Sequence, residues 1–77
     1  MPDKVSVNSS DVSALGFEQD SDVPELGELE VTFKNGSVYT YSAVPRIVFN
    51  ELLAADSIGL ALLRLVKKGG YSYNRLS

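Results

Sequence analysis

Between Glu28 and Tyr41, apolar and polar side chains alternate about a single Asn35-Gly36 step. Leu29, Val31 and Phe33 fall on one side, and Glu28, Glu30, Thr32 and Lys34 on the other. That two-residue period is the mark of a half-buried strand. Val38-Tyr39-Thr40-Tyr41 continues in β-favouring residues after the turn. Asn and Gly both tolerate positive φ, as a two-residue type I′ turn requires, so the spacing predicts a tight hairpin of fixed register. An isolated hairpin is marginal in water, so the rest of the chain has to cover its apolar face.

The chain has 77 residues, which is room for one small domain and no more. Its 44% hydrophobic and 22% charged residues argue against wholesale disorder. A chain of this size buries only about 60% of its unfolded surface, so its own core is thin. It contains no cysteine, hence no disulfide framework and no thiolate metal site. It contains no histidine, which removes the usual general base and every Ser-His nucleophile pair. The expectation is a binding protein with no catalytic residues, no metal and no cofactor. Glu28 and Glu30 share the outer side of a strand, where paired carboxylates solubilise more often than they catalyse. Asp20 and Asp22 match no calcium-loop spacing, and no glycine-lysine phosphate loop occurs. No apolar run exceeds four residues and Met-Pro-Asp-Lys does not resemble a signal peptide, which leads us to expect a cytoplasmic protein with no membrane segment.

Charge is segregated. Residues 1–45 carry two basic against eight acidic side chains, a net −6; residues 46–77 carry five basic against two acidic, a net +3. The acidic whole argues against a grip on long nucleic acid, where each phosphate contact needs a cation. A local basic patch can still hold a small anion.

Residues 1–11 read as a polar tail, with a turn at Asn8-Ser9-Ser10-Asp11, and residues 12–77 as the domain. Residues 12–17 form a first short strand, and the acidic stretch from Gln19 to Gly27 a loop. After the hairpin the period changes. Val44-Pro45 places proline at a first helical position, and Val48, Leu52 and Ala55 recur on one face, widened by Ile47, Phe49 and Leu53. Asp56 or Ser57 caps a second helix from about Ile58 to Lys68, which Gly69-Gly70 stops. Tyr71-Ser72-Tyr73 is a short alternating segment, read either as a last strand or as an extended tail. The expected fold is α+β: a small three-stranded antiparallel sheet, two helices and a short extended C-terminal segment.

Leu60, Ala61, Leu62, Leu63, Leu65 and Val66 cover most of the second helix's circumference. A three-stranded sheet covers one face only, and monomers rarely tolerate the remainder exposed. The expectation is a homo-oligomer with the helix Ile58–Lys68 in its interface; the competing reading sandwiches it between the sheet and helix one.

The string Leu29 to Tyr41, then Val44-Pro45, then Leu52-Leu53-Ala54-Ala55-Asp56-Ser57-Ile58-Gly59, resembles the KTSC domain. That family is named for its occurrence at the C-terminus of some lysyl-tRNA synthetases and also occurs as free-standing small proteins of bacteria and phages. The resemblance covers about residues 12–76, and the closing tyrosines are similar to Tyr71-Ser72-Tyr73. The chain departs from it at Ala61-Leu62-Leu63, where relatives tend to have aromatic-Asn, and at the doubled Gly69-Gly70. Free-standing phage members resemble, in size and stickiness, the small oligomeric sponges with which phages sequester cyclic nucleotide immune signals. On that analogy the chain is a phage immune-evasion sponge binding a cyclic oligonucleotide between subunits. The alternative is an RNA- or protein-interaction module, as the synthetase fusions suggest; a third reading is a regulator docking on one host protein.

A nucleotide needs aromatic faces for its base and cations or backbone N–H groups for its phosphate. Tyr39 and Tyr41 form one pair on a common strand face, as sheet packing or as ligand platform. Tyr71 and Tyr73 lie beside Lys67, Lys68 and Arg75, the best basic-aromatic mixture in the chain. Lys67 and Lys68 equally suit a helix C-terminal dipole. Arg75 offers a bidentate fork. Ser57 and Gly59 sit at a helix start, as an anion site or as a plain N-cap with a close crossing. Arg46 opens a helix against its dipole, and Arg64 stands alone among leucines as an ion-pair member or ligand contact.

Overall fold

The computed structural model describes residues 3–7 and 9–77, Asp3 by its backbone alone. Five strands form one antiparallel sheet in chain order: β1 (Asp3–Ser6), β2 (Val12–Gln19), β3 (Leu26–Phe33), β4 (Val38–Pro45) and β5 (Tyr73–Arg75). Helices α1 (Arg46–Ala54) and α2 (Ile58–Leu62) lie between β4 and β5, and α2 runs on into a π-helical turn, Leu63–Lys67. The sheet therefore has five strands, not three, although the α+β class stands.

The two extra strands are the edges. The segment read as a polar tail contains β1, which pairs Val5 with Leu15 and Lys4 with Gly16. Four residues of mixed polarity carry no legible period; pairing with β2 makes them a strand. The turn read at Asn8–Asp11 includes Asn8, which lies outside the described residues. At the other edge, the extended end pairs two residues later than read: Tyr73 faces Tyr41 and Arg75 faces Tyr39.

The register sets the core. Leu15 lies opposite Val31 and Phe17 opposite Leu29, while Leu29 faces Tyr41. Phe49 and Leu52 of α1 and Ile58, Leu62 and Val66 of α2 and its extension close over that face. Burying each such side chain contributes roughly 1.5–3 kcal/mol. The second helix is less saturated with exposed apolar surface than its composition implies. Ile58, Leu62 and Val66 are buried, Ala61 and Leu65 are half-buried, and Leu60 and Leu63 face outward. Its last turn widens: the Lys68 N–H donates to the Leu63 carbonyl five residues back, at 3.1 Å. Ile58, Leu62 and Val66 are four apart and so share the helix face toward the sheet.

Pro45 is the N-cap of α1, extended at ψ 139°, not its first helical residue. The hairpin also differs from the type I′ expectation. The Gly36 N–H donates to the Phe33 carbonyl at 3.0 Å, and the Phe33 N–H to the Ser37 carbonyl at 2.8 Å. Only Gly36 takes positive φ, at 93°. This is a three-residue loop, a type I turn followed by a glycine bulge. The Asn35 side chain, freed from the left-handed region, accepts from the Ser37 N–H at 3.0 Å.

A second bulge lies on β4, where Gly27 pairs with Val44 but Leu29 with Tyr41. Ala43 absorbs the extra residue at φ 55°. Left-handed backbone costs a Cβ-bearing residue about 1–2 kcal/mol, against about 0.4–1 kcal/mol of unfolded-state entropy for glycine. Ala43→Gly is therefore expected to stabilise by about 0.5–1 kcal/mol in chemical denaturation.

The outer face of the sheet is polar. Lys4 reaches across Gly16 to Glu30, with Nζ 3.3 Å from Oε2. Glu30 thus differs from its neighbour Glu28: it is half-buried beside a cation rather than freely solvated.

Candidate functional site

Where the sheet runs out beyond the helices, β4, β5 and the end of the π-helical turn enclose a groove of about 640 Å³. Its lining is Phe33, Asn35, Ser37, Tyr39, Tyr41, Val66, Lys67, Gly70, Tyr71 and Tyr73. Strand alternation puts Tyr39 and Tyr41 on the helix side, and antiparallel pairing brings Tyr73 beside them. The rings form a continuous run. Phe33 meets Tyr39 edge-on at 5.8 Å, and Tyr73 lies 6.0 Å from Tyr39 and 5.8 Å from Tyr41. Tyr41 is buried and Tyr73 is 61% exposed, so the run passes from core to solvent. Burial, then the neighbouring Tyr39 and Tyr73, raises the Tyr41 phenol above its ordinary value. The stabilisation linked to this proton is full below the ordinary tyrosine value of about 10 and is lost as pH rises through the raised one.

Two cations edge the groove. The Lys67 ammonium stands 5.6 Å from the centre of the Phe33 ring, and the Arg75 guanidinium 5.7 Å from that of Tyr39. Arg75 is further held by Ser37 Oγ at 3.2 Å and the Ser77 carbonyl at 2.9 Å. Gly70, at φ 75°, turns the chain from the helix toward β5. Gly69 leaves space that the Tyr71 ring occupies; a Cβ there would lie 2.7 Å from it.

Six of the eleven sequence candidates thus gather here: Tyr39, Tyr41, Lys67, Tyr71 and Tyr73 in the lining, and Arg75 against Tyr39. The others do not. Arg46 sits over the Phe17 ring at 5.2 Å and donates to Gln19 Oε1 at 3.2 Å, away from the groove. Ser57 is an N-cap whose Oγ accepts from the Leu60 N–H at 3.4 Å. A Cβ on Gly59 would lie 3.6 Å from an Asp11 carboxylate oxygen, an acidic neighbour unsuited to a second anion. Arg64 and Lys68 are exposed and do not line the groove. Sequence reasoning missed Phe33, Asn35 and Ser37 as lining residues. Their signal lay in the hairpin itself, which carries all three onto the same end as Tyr39.

The acidic loop lies at the opposite end of the sheet. Asp20 Oδ1 accepts from the backbone N–H groups of Val23 and Asp22, which together hold its carboxyl below the ordinary value. That ordering is present above the ordinary carboxylate range and lost as pH falls through the lowered value. Negative charge is thus concentrated away from the aromatic groove and positive charge beside it. Among the described residues, no helix is long and apolar enough to cross a membrane.

This architecture defines a small α+β domain, and its fold is shared with a solved structure. The crystal structure of a KTSC domain protein from Yersinia pestis matches with a TM-score of 0.75 over 100% of both chains, at 26% identity. The KTSC domain family model matches residues 8–73. An uncharacterised protein of Stutzerimonas stutzeri is 38% identical over 73 residues, covering 95% of this chain and 96% of that one. A protein of Tsukamurella paurometabola is 38% identical over 61 residues, covering 79% and 84%. The chain belongs to the KTSC domain family.

Proposed function

We propose that this KTSC domain is a non-enzymatic binding protein that holds a nucleotide-class ligand in the groove beside β5, and that it sequesters a cyclic oligonucleotide signal in the manner of a phage sponge. The observation that carries the reading is the run of four aromatic rings, Phe33, Tyr39, Tyr73 and Tyr41, with Tyr71 also in the lining and Lys67 and Arg75 at the border. Base stacking on such rings is worth about 1–3 kcal/mol per base. A groove of about 640 Å³ falls in the range of small-molecule sites. The groove is open along the sheet edge, so a second copy is needed to enclose a larger ligand. Leu60 and Leu63, 53% and 41% exposed on α2 and its extension, supply the contact for such a homo-oligomer.

A thermal-shift panel of cyclic dinucleotides, cyclic trinucleotides and cyclic ADP-ribose isomers tests the reading. A ligand present at a hundredfold its dissociation constant adds about 2.7 kcal/mol of stability. A panel in which no nucleotide moves the melting temperature contradicts it.

A further inference from the structure

The groove is polarised along its length. Its hairpin end carries Lys67 over Phe33 and the hydrogen-bonding side chains of Asn35 and Ser37, with Arg75 against Tyr39. Its other end, where Tyr73 faces Tyr41, is walled by those two phenol rings. β5 runs from the phenolic end at Tyr73 to the cationic end at Arg75, so the two ends are separated along the strand. A ligand with one flat ring and one anionic group has a single favourable orientation here: ring on the tyrosines, anion toward the two cations. Lys67 rests on the Phe33 ring, and an arriving phosphate gives it a stronger partner than an aromatic quadrupole; Arg75, already held by Tyr39, Ser37 Oγ and the Ser77 carbonyl, keeps further N–H donors of its five for the same anion.

Resting on the nucleotide reading above, we infer that each groove takes one base-and-phosphate unit, lying with its phosphate at Lys67 and Arg75, so that a cyclic dinucleotide occupies the grooves of two copies. A symmetrical ligand with two phosphates between two bases has no place in one groove with a single cationic end. Multiplicity of the ligand therefore dictates multiplicity of the protein.

The test is isothermal titration calorimetry of the full chain with AMP, adenosine and cyclic di-AMP. AMP should bind at one per chain and cyclic di-AMP at one per two chains. Adenosine, which lacks the phosphate, should bind roughly tenfold or more weakly than AMP, the scale of a charged hydrogen bond. Lys67→Ala and Arg75→Ala should each bring AMP down to the adenosine affinity, and Arg75→Lys should fall between, because it keeps charge without the fork. Lys68→Ala, outside the groove, should change nothing. Equal affinities for AMP and adenosine, or cyclic di-AMP binding at one per chain, would overturn the orientation while leaving the groove reading standing. Failure of all three to bind overturns the groove reading itself.

Discussion

Leu62→Glu should leave no cooperatively folded protein. Leu62 is 1% exposed and sits between Ile58 and Val66 in the helix layer of the core. Truncating such a leucine costs about 2–5 kcal/mol, and the substitution adds a carboxylate in an apolar site. A domain of this size holds only about 3–5 kcal/mol in its core. Circular dichroism should show lost structure at room temperature; a cooperative melt near that of the parent would contradict the packing described. The sequence alone placed the whole helix Ile58–Lys68 in an interface between copies, and for Leu62 the structure corrects this, because the residue belongs to the chain's own core. The interface proposal moves to Leu60 and Leu63. Glutamate at both outward positions should leave each chain folded by circular dichroism, because neither side chain belongs to the buried core. In light scattering the same double variant should have the mass of one chain. An unchanged mass removes this helix from any assembly.

Gly27→Ala should destabilise by about 1–3 kcal/mol or more, an effect out of proportion to one methyl group. A Cβ at Gly27 would collide with the Glu18 carbonyl oxygen and lie 2.6 Å from the Phe17 ring. Neither can yield cheaply. The carbonyl belongs to β2, paired with β3 through Glu18 and Glu28. The ring is stacked on Phe49 at 5.3 Å and covered by the Arg46 guanidinium at 5.2 Å. Glycine at this position lets the Phe17 ring lie on the backbone of β3, and α1 is seated on that ring. Urea denaturation should show a lower midpoint with an unchanged slope. A change below about 0.5 kcal/mol would mean that β2 and β3 can part here without consequence.

The central hairpin was legible because both strands are long, alternate cleanly and meet at a glycine-bearing turn. The turn type was not, because Asn-Gly serves a glycine-bulge loop as readily as a type I′ turn; hydrogen bonding by Ser37 decides between them. The helices were legible from their change of period and from the Ser57 cap. Of the edge strands, β1 was read as tail, and β5 was read two residues early, as strand or extended tail. β1 has four residues and β5 three, and each is held by pairing on one side alone. The tyrosine spacing held on β4, where Tyr39 and Tyr41 share a face, and β5 brings Tyr73 beside them; Tyr71 precedes β5 and reaches the groove from the turn after the helix. Charge and helix-start arguments did less well. Arg46, Ser57 and Gly59 have local structural partners that a linear sequence cannot display. The widening of the last helical turn has no signature in the residues Leu63 to Lys67 themselves.

A nucleotide held in the groove touches a defined set of backbone amides. Titrating the isotope-labelled full chain with AMP and following its backbone amide resonances addresses that directly. The amides of Ser37, Tyr39, Lys67, Gly70 and Tyr73 should shift together, and Tyr73→Ala should abolish the shifts while the rest of the spectrum stays folded. Shifts centred on Arg46 and Ser57 instead, or a spectrum that AMP leaves unmoved, would contradict the groove as the binding site.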